Sequence, residues 1–256
     1  MAQDAVKDFL RALDRLDHSK GRREIFTDFC EMFYCALAKP ASPFADQRDQ
    51  LEAQYMRVVA RYRNKDHVRA MPSMVEILRP VIEAGGRDVL GEIAAEVGAL
   101  NPHIGQFFTP YTVSRAIAEM TLPDAESLLA GRGFFTLCEP ACGSGGMVIA
   151  AADTLDGRNV ALSDCWVEAT ELAPSVYHMA YIQIALRGVS GKVICGNSLS
   201  GEIQTFAYTP AASDFVLRHG HPFADQIAAR IAANDAARKK ADLIAQLERD
   251  HLRAAE

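Results

Sequence analysis

The sequence lacks a basic excess. It carries 27 Lys and Arg against 33 Asp and Glu, a formal charge of −6. Proteins that hold nucleic acid by overall charge show the opposite balance, so global electrostatics exclude that class while leaving a local basic face open. The imbalance is regional. Residues 1–100 hold 15 basic and 16 acidic side chains, residues 101–220 hold 6 and 11, and residues 221–256 hold 6 and 6. No apolar run approaches the ~20 residues that span a bilayer. The N-terminus is charged from Asp4 onward and has no continuous apolar stretch of the secretory kind. The six cysteines (Cys30, Cys35, Cys138, Cys142, Cys165, Cys195) include no Cys-x-x-Cys pair. Their spacing does not suit a zinc site, so no metal is expected, and a secreted disulfide framework is denser and shorter. They read as reduced thiols of a cytoplasmic protein. With 17 Gly and 11 Pro the chain is neither collagenous nor Pro-rich, and it shows no internal repeat. What is present is a globular composition, 49% apolar and 23% charged, with ample material for a core.

The first hundred residues read as helices. Val6, Phe9, Leu10, Leu13 and Leu16 recur at helical spacing, as do Ile25, Phe29, Met32 and Phe33. A break is expected at Ala38–Pro43, a helix from about Asp46 to Asn64, another over Ser73–Leu78 ended by Pro80, a turn at Gly85-Gly86, and a helix over Val89–Ala99. After Asn101-Pro102 the texture changes. Phe134–Cys138, Cys165–Glu171 and Lys192–Cys195 read as strands, alternating with helical stretches at Met147–Leu155 and Val176–Leu186. That alternation implies βαβ units and a parallel sheet. From Ala224 the chain is Ala-rich, charged and helix-forming. The expected division is a helical segment 1–100, an α/β segment 101–223 and a C-terminal helix 224–256.

The sharpest motif is Glu139-Pro140-Ala141-Cys142-Gly143-Ser144-Gly145-Gly146, which follows a strand and opens a helix. Such a turn presents backbone N–H groups at the carboxyl edge of a sheet, and glycine lets a ligand approach the bare backbone. No Lys-Ser/Thr follows, so this is not a phosphate-binding P-loop. The acid Glu139 suits a cationic ligand group better than a phosphate.

These residues resemble the cofactor motif of N6-adenine DNA methyltransferases, in particular the modification subunits of type I restriction systems. Upstream, Gly105-Gln106-Phe107-Phe108-Thr109-Pro110 resembles the segment that precedes the motif in that family and packs over S-adenosylmethionine (SAM). The resemblance covers residues 103–200 best. It implies a Rossmann-like class I α/β methyltransferase fold with an abbreviated parallel sheet, an N-terminal helical domain and a C-terminal helix. It implies SAM as cofactor, bound by Phe107, Phe108, Thr109, Pro110, Glu139, Pro140, Ala141, Cys142, Gly143, Ser144 and Gly145. It also implies Glu171 at the ribose hydroxyls and Asn197 at the adenine, where the family usually has Asp. The reaction implied is methyl transfer to adenine N6 in DNA, beside a separate specificity subunit.

One family element is absent. The loop Asn/Asp-Pro-Pro-Tyr/Phe holds the flipped target base, and this chain has no Pro-Pro dipeptide. The nearest echo is Asp214–Phe223, read as an acid, a short strand and a turn in which Phe223 could stack a base; a plain loop before the final helix is the alternative. Arg57, Arg61, Arg63, Lys65 and Arg69, with Tyr55 and Tyr62 between them, form a candidate nucleic-acid face; a solvated helix face is the alternative. Three functions stay open at this point: an adenine methyltransferase or its cofactor-binding part, a SAM-binding scaffold without turnover, and a helical adaptor. No membrane partner is expected, and self-association stays open.

Overall fold

The computed structural model describes residues 2–100 and 108–229. The chain divides into two units, residues 1–218 and 219–256. The first unit begins with five helices: α1 (Ala2–Leu13), α2 (Arg22–Ala41), α3 (Ala45–Ala60), α4 (Lys65–Ala84) and α5 (Val89–Glu96). Then come α6 (Tyr111–Thr121), α7 (Ala125–Leu129), β1 (Phe135–Glu139), α8 (Gly146–Gly157), β2 (Cys165–Glu171), α9 (Pro174–Leu186), β3 (Ser190–Asn197), β4 (Glu202–Tyr208) and α10 (Ala212–His219).

The sheet order is β1-β2-β3-β4. β1 pairs parallel with β2 from Phe135↔Cys165 to Glu139↔Ala169, and β2 parallel with β3 from Trp166↔Ser190 to Glu171↔Cys195. β4 returns antiparallel along β3, with a bulge at Cys195/Gly196. The expected fold class is therefore found: a mostly parallel α/β sheet covered by helices. α9 packs on β2 and β3, α8 packs against α6 and α9, and α2 packs on α3 and α9. One apolar cluster runs from Phe9, Phe29 and Leu78 through Leu90 and Ile93 to Val167, Tyr177, Ala180 and Val193. Helices before residue 100 and the strands thus share a core. No helix among the described residues is long and apolar enough to cross a membrane.

Three local expectations are corrected. Helix α4 does not stop at Pro80. It runs Lys65–Ala84 through Pro72 and Pro80, N-capped by Asn64, whose side chain accepts the Asp66 N–H at 2.9 Å. Burial of Val68, Met71, Met74, Leu78 and Ile82 outweighs the hydrogen bonds the prolines forfeit. The break expected at Ala38–Pro43 begins only at Ser42, because Pro40 falls in the last turn of α2. The strand expected within Asp214–Phe223 is helix α10 instead, which sets the Phe215 ring 5.3 Å from Phe134 and 5.2 Å from Trp166. Strand β4 carried too weak an apolar alternation to be foreseen, since Glu202–Thr205 are all exposed.

The second unit, as far as residue 229, is a turn followed by helical residues 224–229. The helix expected beyond residue 229 lies outside the described residues.

Candidate functional site

The loop between β1 and α8 is pinned from both sides. Cys142 N–H donates to the Thr170 carbonyl at 2.9 Å, and Gly145 N–H closes a turn on the Cys142 carbonyl at 2.8 Å. Gly143 has φ +56° and Gly145 φ +98°, left-handed conformations that side chains resist. Gly145 caps α8, whose first residue is Gly146. At Gly143 a methyl group would stand 3.1 Å from the Phe108 ring, so an aromatic wall lies directly on the bare backbone.

Carboxylates hold the loop. Glu139, at the tip of β1, accepts the Ala141 N–H at 3.1 Å. Glu171, at the tip of β2, accepts Gly143 N–H at 3.1 Å through Oε2 and Ala173 N–H at 2.8 Å through Oε1. Each Glu171 oxygen keeps a lone-pair position for a ligand hydroxyl. Asn197, ending β3, turns its Oδ1 onto its own turn, accepting from Leu199 N–H at 2.9 Å and Ser200 N–H at 3.3 Å. Its amide NH2 is what it can offer outward. Burial, then the Glu171 and Glu139 charges, push the Cys142 thiol far above its ordinary value, so Cys142 is no nucleophile.

Beneath the loop lies a group that sequence reasoning missed. Asp88 caps α5 by accepting Gly91 N–H at 2.9 Å. Its carboxylate also accepts the Ser144 hydroxyl and, at 2.7 Å, the Gln183 side-chain amide. Gln183 donates as well to the Ser144 carbonyl at 2.7 Å and accepts Leu90 N–H at 3.0 Å. Asp88, Ser144 and Gln183 are all buried. An Asp directly before the helix expected from Val89 was the one signal that could have marked it, as a cap; nothing local connects it to a loop 56 residues downstream.

A cavity of about 140 Å³ opens here, lined by Asp88, Phe108, Thr109, Ser114, Glu139, Ala141–Ser144, Gly146 and Met147. Of the expected cofactor residues, Phe108, Thr109, Glu139, Ala141, Cys142, Gly143 and Ser144 thus meet in one place. Pro110 caps α6 and lines an adjoining hollow. Pro140 is exposed in the turn, and Glu171 and Asn197 stand at the neighbouring strand tips. Phe107 lies outside the described residues. Among the described residues no group of three or more metal-ligating side chains occurs.

The basic residues do not gather at this cavity. Arg61 pairs with Asp28 at 2.5 Å and Glu31 at 3.1 Å, and Lys65 donates to the Val59 and Tyr62 carbonyls at the end of α3. Tyr62 is fully buried, while Arg57 and Arg63 are exposed. Phe223, in the second unit, is half-buried, and its N–H donates to His221 Nδ1 at 3.2 Å.

The chain is 23% identical over 129 residues to the Type I restriction enzyme MjaIX methylase subunit of Methanocaldococcus jannaschii, an overlap of 49% of this chain and 21% of that subunit. It therefore spans about a fifth of that relative's length. Among solved structures, a protein of Listeria monocytogenes assigned as a class I S-adenosylmethionine-dependent methyltransferase aligns with TM-score 0.44 and 10% identity, covering 86% of this chain and 71% of that one. The methyltransferase subunit of a type I restriction-modification system from Streptococcus thermophilus aligns with TM-score 0.39 and 13% identity, covering 78% and 60%. The family model described as N-6 DNA Methylase matches residues 89–248. With more than half of its length so matched, the chain belongs to the N-6 DNA methylase family.

Proposed function

We propose that the chain binds SAM at the glycine loop and serves methyl transfer to adenine N6 in DNA, as part of an assembly of the type I modification kind. The observation that carries the reading is the cavity under the loop. A buried hydroxyl, Ser114 Oγ, and a buried carboxylate, Asp88, line it, and among the described residues the first has no hydrogen-bond partner and the second no cation beside it. Both fit the zwitterionic end of SAM, and Phe108, packed on the bare backbone of Gly143, walls the cavity beside them. The volume is below the ~300 Å³ at which pockets enclose a whole drug-sized ligand, which assigns the cavity to one end of the cofactor.

In this reading Phe107, Phe108, Thr109 and Pro110 form the wall over the cofactor. Glu139, Pro140, Ala141, Cys142, Gly143, Ser144 and Gly145 form the loop against it. Glu171 accepts the ribose hydroxyls and Asn197 donates to the adenine. SAM supplies an electrophilic methyl group. The chain's own residues bind, orient and exclude water, which is the part of catalysis that rests on positioning. DNA is the substrate, a specificity subunit reads its sequence, and Phe223 is the chain's aromatic candidate for the target base.

Calorimetry with SAM and S-adenosylhomocysteine tests the reading, with Gly145→Val as control. Micromolar binding lost in Gly145→Val is the expected result. Absence of binding by folded wild-type protein refutes it. Methyl transfer to unmethylated DNA, with a specificity subunit supplied, tests the second half.

A further inference from the structure

We infer that Asp88, together with Ser114, forms the subsite for the amino-acid end of the cofactor, with the Asp88 carboxylate as the counter-charge of the ammonium group. The inference rests on the SAM reading above and deepens it. Asp88 precedes the first residue of the matched family segment, so neither that match nor the motif assigns it a role.

An ionised carboxylate offers about four acceptor positions. On Asp88, Oδ1 takes Gly91 N–H and the Gln183 amide, and Oδ2 takes the Ser144 hydroxyl. Among the described residues one position remains open, on Oδ2. Asp88 is 5% exposed and lines both the cavity and the adjoining hollow. Its neighbour Arg87 is turned to Glu92, and no ion pair to Asp88 forms among the described residues. A buried carboxylate without a counter-ion is costly. The N-termini of α5 and α8 offset part of its charge; a methyl group at Gly146 would stand 3.1 Å from Oδ2.

A purely structural cap explains the bonds to Gly91 and Ser144. It does not explain Ser114. That residue sits on α6, is 0% exposed, and lines the same cavity with its hydroxyl unsatisfied. Buried hydroxyls are normally bonded. One ligand end bearing both a cation and an anion answers Asp88 and Ser114 together. Glu139 is the less suitable partner for the cation, because it is half-exposed and already bonds its own loop. The nucleoside then extends outside the cavity toward Glu171 and Asn197.

The test compares two ligands by calorimetry on wild type, Asp88→Asn and Ser114→Ala. S-adenosylhomocysteine has the amino-acid end; 5′-methylthioadenosine lacks it. Asp88→Asn keeps the shape, and the Ser144 hydroxyl can turn to accept from the new amide. The expected result is a loss of roughly 10- to 100-fold for S-adenosylhomocysteine with Asp88→Asn, and 5′-methylthioadenosine affinity within about twofold of wild type. Equal weakening of both ligands reveals a merely structural role and overturns the inference, as does unchanged S-adenosylhomocysteine binding. Should Asp88→Asn fail to fold, wild type titrated with deaminated S-adenosylhomocysteine decides: at least roughly tenfold weaker binding supports the ammonium contact, and equal affinity overturns it. Wild type that binds neither nucleoside refutes the SAM reading itself, which is a distinct outcome.

Discussion

Replacing Gln183 by methionine removes one side-chain amide and little volume. Gln183 is 0% exposed on α9 and joins three partners: the Asp88 carboxylate, the Ser144 carbonyl and the Leu90 N–H. The bond to Asp88 is charge-assisted and worth roughly 1.5–3 kcal/mol. The orphaned Leu90 N–H and Ser144 carbonyl each forfeit roughly 1–3 kcal/mol when buried without a partner. Methionine regains part of this through its apolar body. The expected net loss is about 4 kcal/mol, a large share of the ~5–15 kcal/mol that holds a typical protein folded. Urea unfolding can be read from Trp166, the only tryptophan and 1% exposed on β2. At an m-value near ~2 kcal/mol/M the midpoint should fall by about 2 M with m unchanged. A shift below about 0.5 M would show that the three bonds are not what fastens the glycine loop to α5 and α9.

Gly143→Ala should cost about 1–2 kcal/mol at φ +56°. It should also weaken S-adenosylhomocysteine binding at least tenfold or so by pushing Phe108 off the loop; wild-type affinity in a calorimetric titration would refute the close approach. His178, stacked 4.7 Å from Tyr34, is held neutral by burial, its pKa lowered from 6.5 to about 4. An unfolded chain binds that proton more readily, so this stabilisation is complete above pH 6.5 and is lost as pH falls through 4. Wild type should therefore lose about 2 kcal/mol more than His178→Phe between pH 7 and 4.5 in urea titrations, and parallel curves would refute it. Of the six free cysteines only Cys138 is exposed. A thiol reagent should label it alone in the native protein, and slowly, because burial and the Glu168 and Glu139 charges raise its pKa; rapid labelling of a second thiol would count against the buried positions of the others.

Legibility followed how local the cause was. Strand β2 has the bounds its β-branched and aromatic run suggested, Cys165–Glu171, and helix α9 extends its expected span by only two residues. Gly85-Gly86 turns where it should, at φ +71° and +81°. Where tertiary contacts decide, local reading failed. Phe215, Val216 and Leu217 have strand-forming side chains, yet the segment is helical because Phe215 must reach Phe134 and Trp166. Pro80 breaks isolated helices, yet Leu78 and Ile82 on either side are needed in the core.

The site shows the same division. Glu139, Gly143 and Glu171 are tied to strand tips and a turn, so a motif a few residues long reveals them. Asp88 and Ser114 reach the cavity from helices formed before β1 begins, and only the packing of α5, α6, α8 and α9 brings them to Ser144. That dependence changes how the first hundred residues should be regarded. They are not an appendage to the sheet. The buried carboxylate of α5's cap and the core shared from Phe9 to Val193 make them one wall of the cavity, so a shift of α5 moves the cavity's only buried carboxylate among the described residues, as a shift of α6 moves the Ser114 hydroxyl.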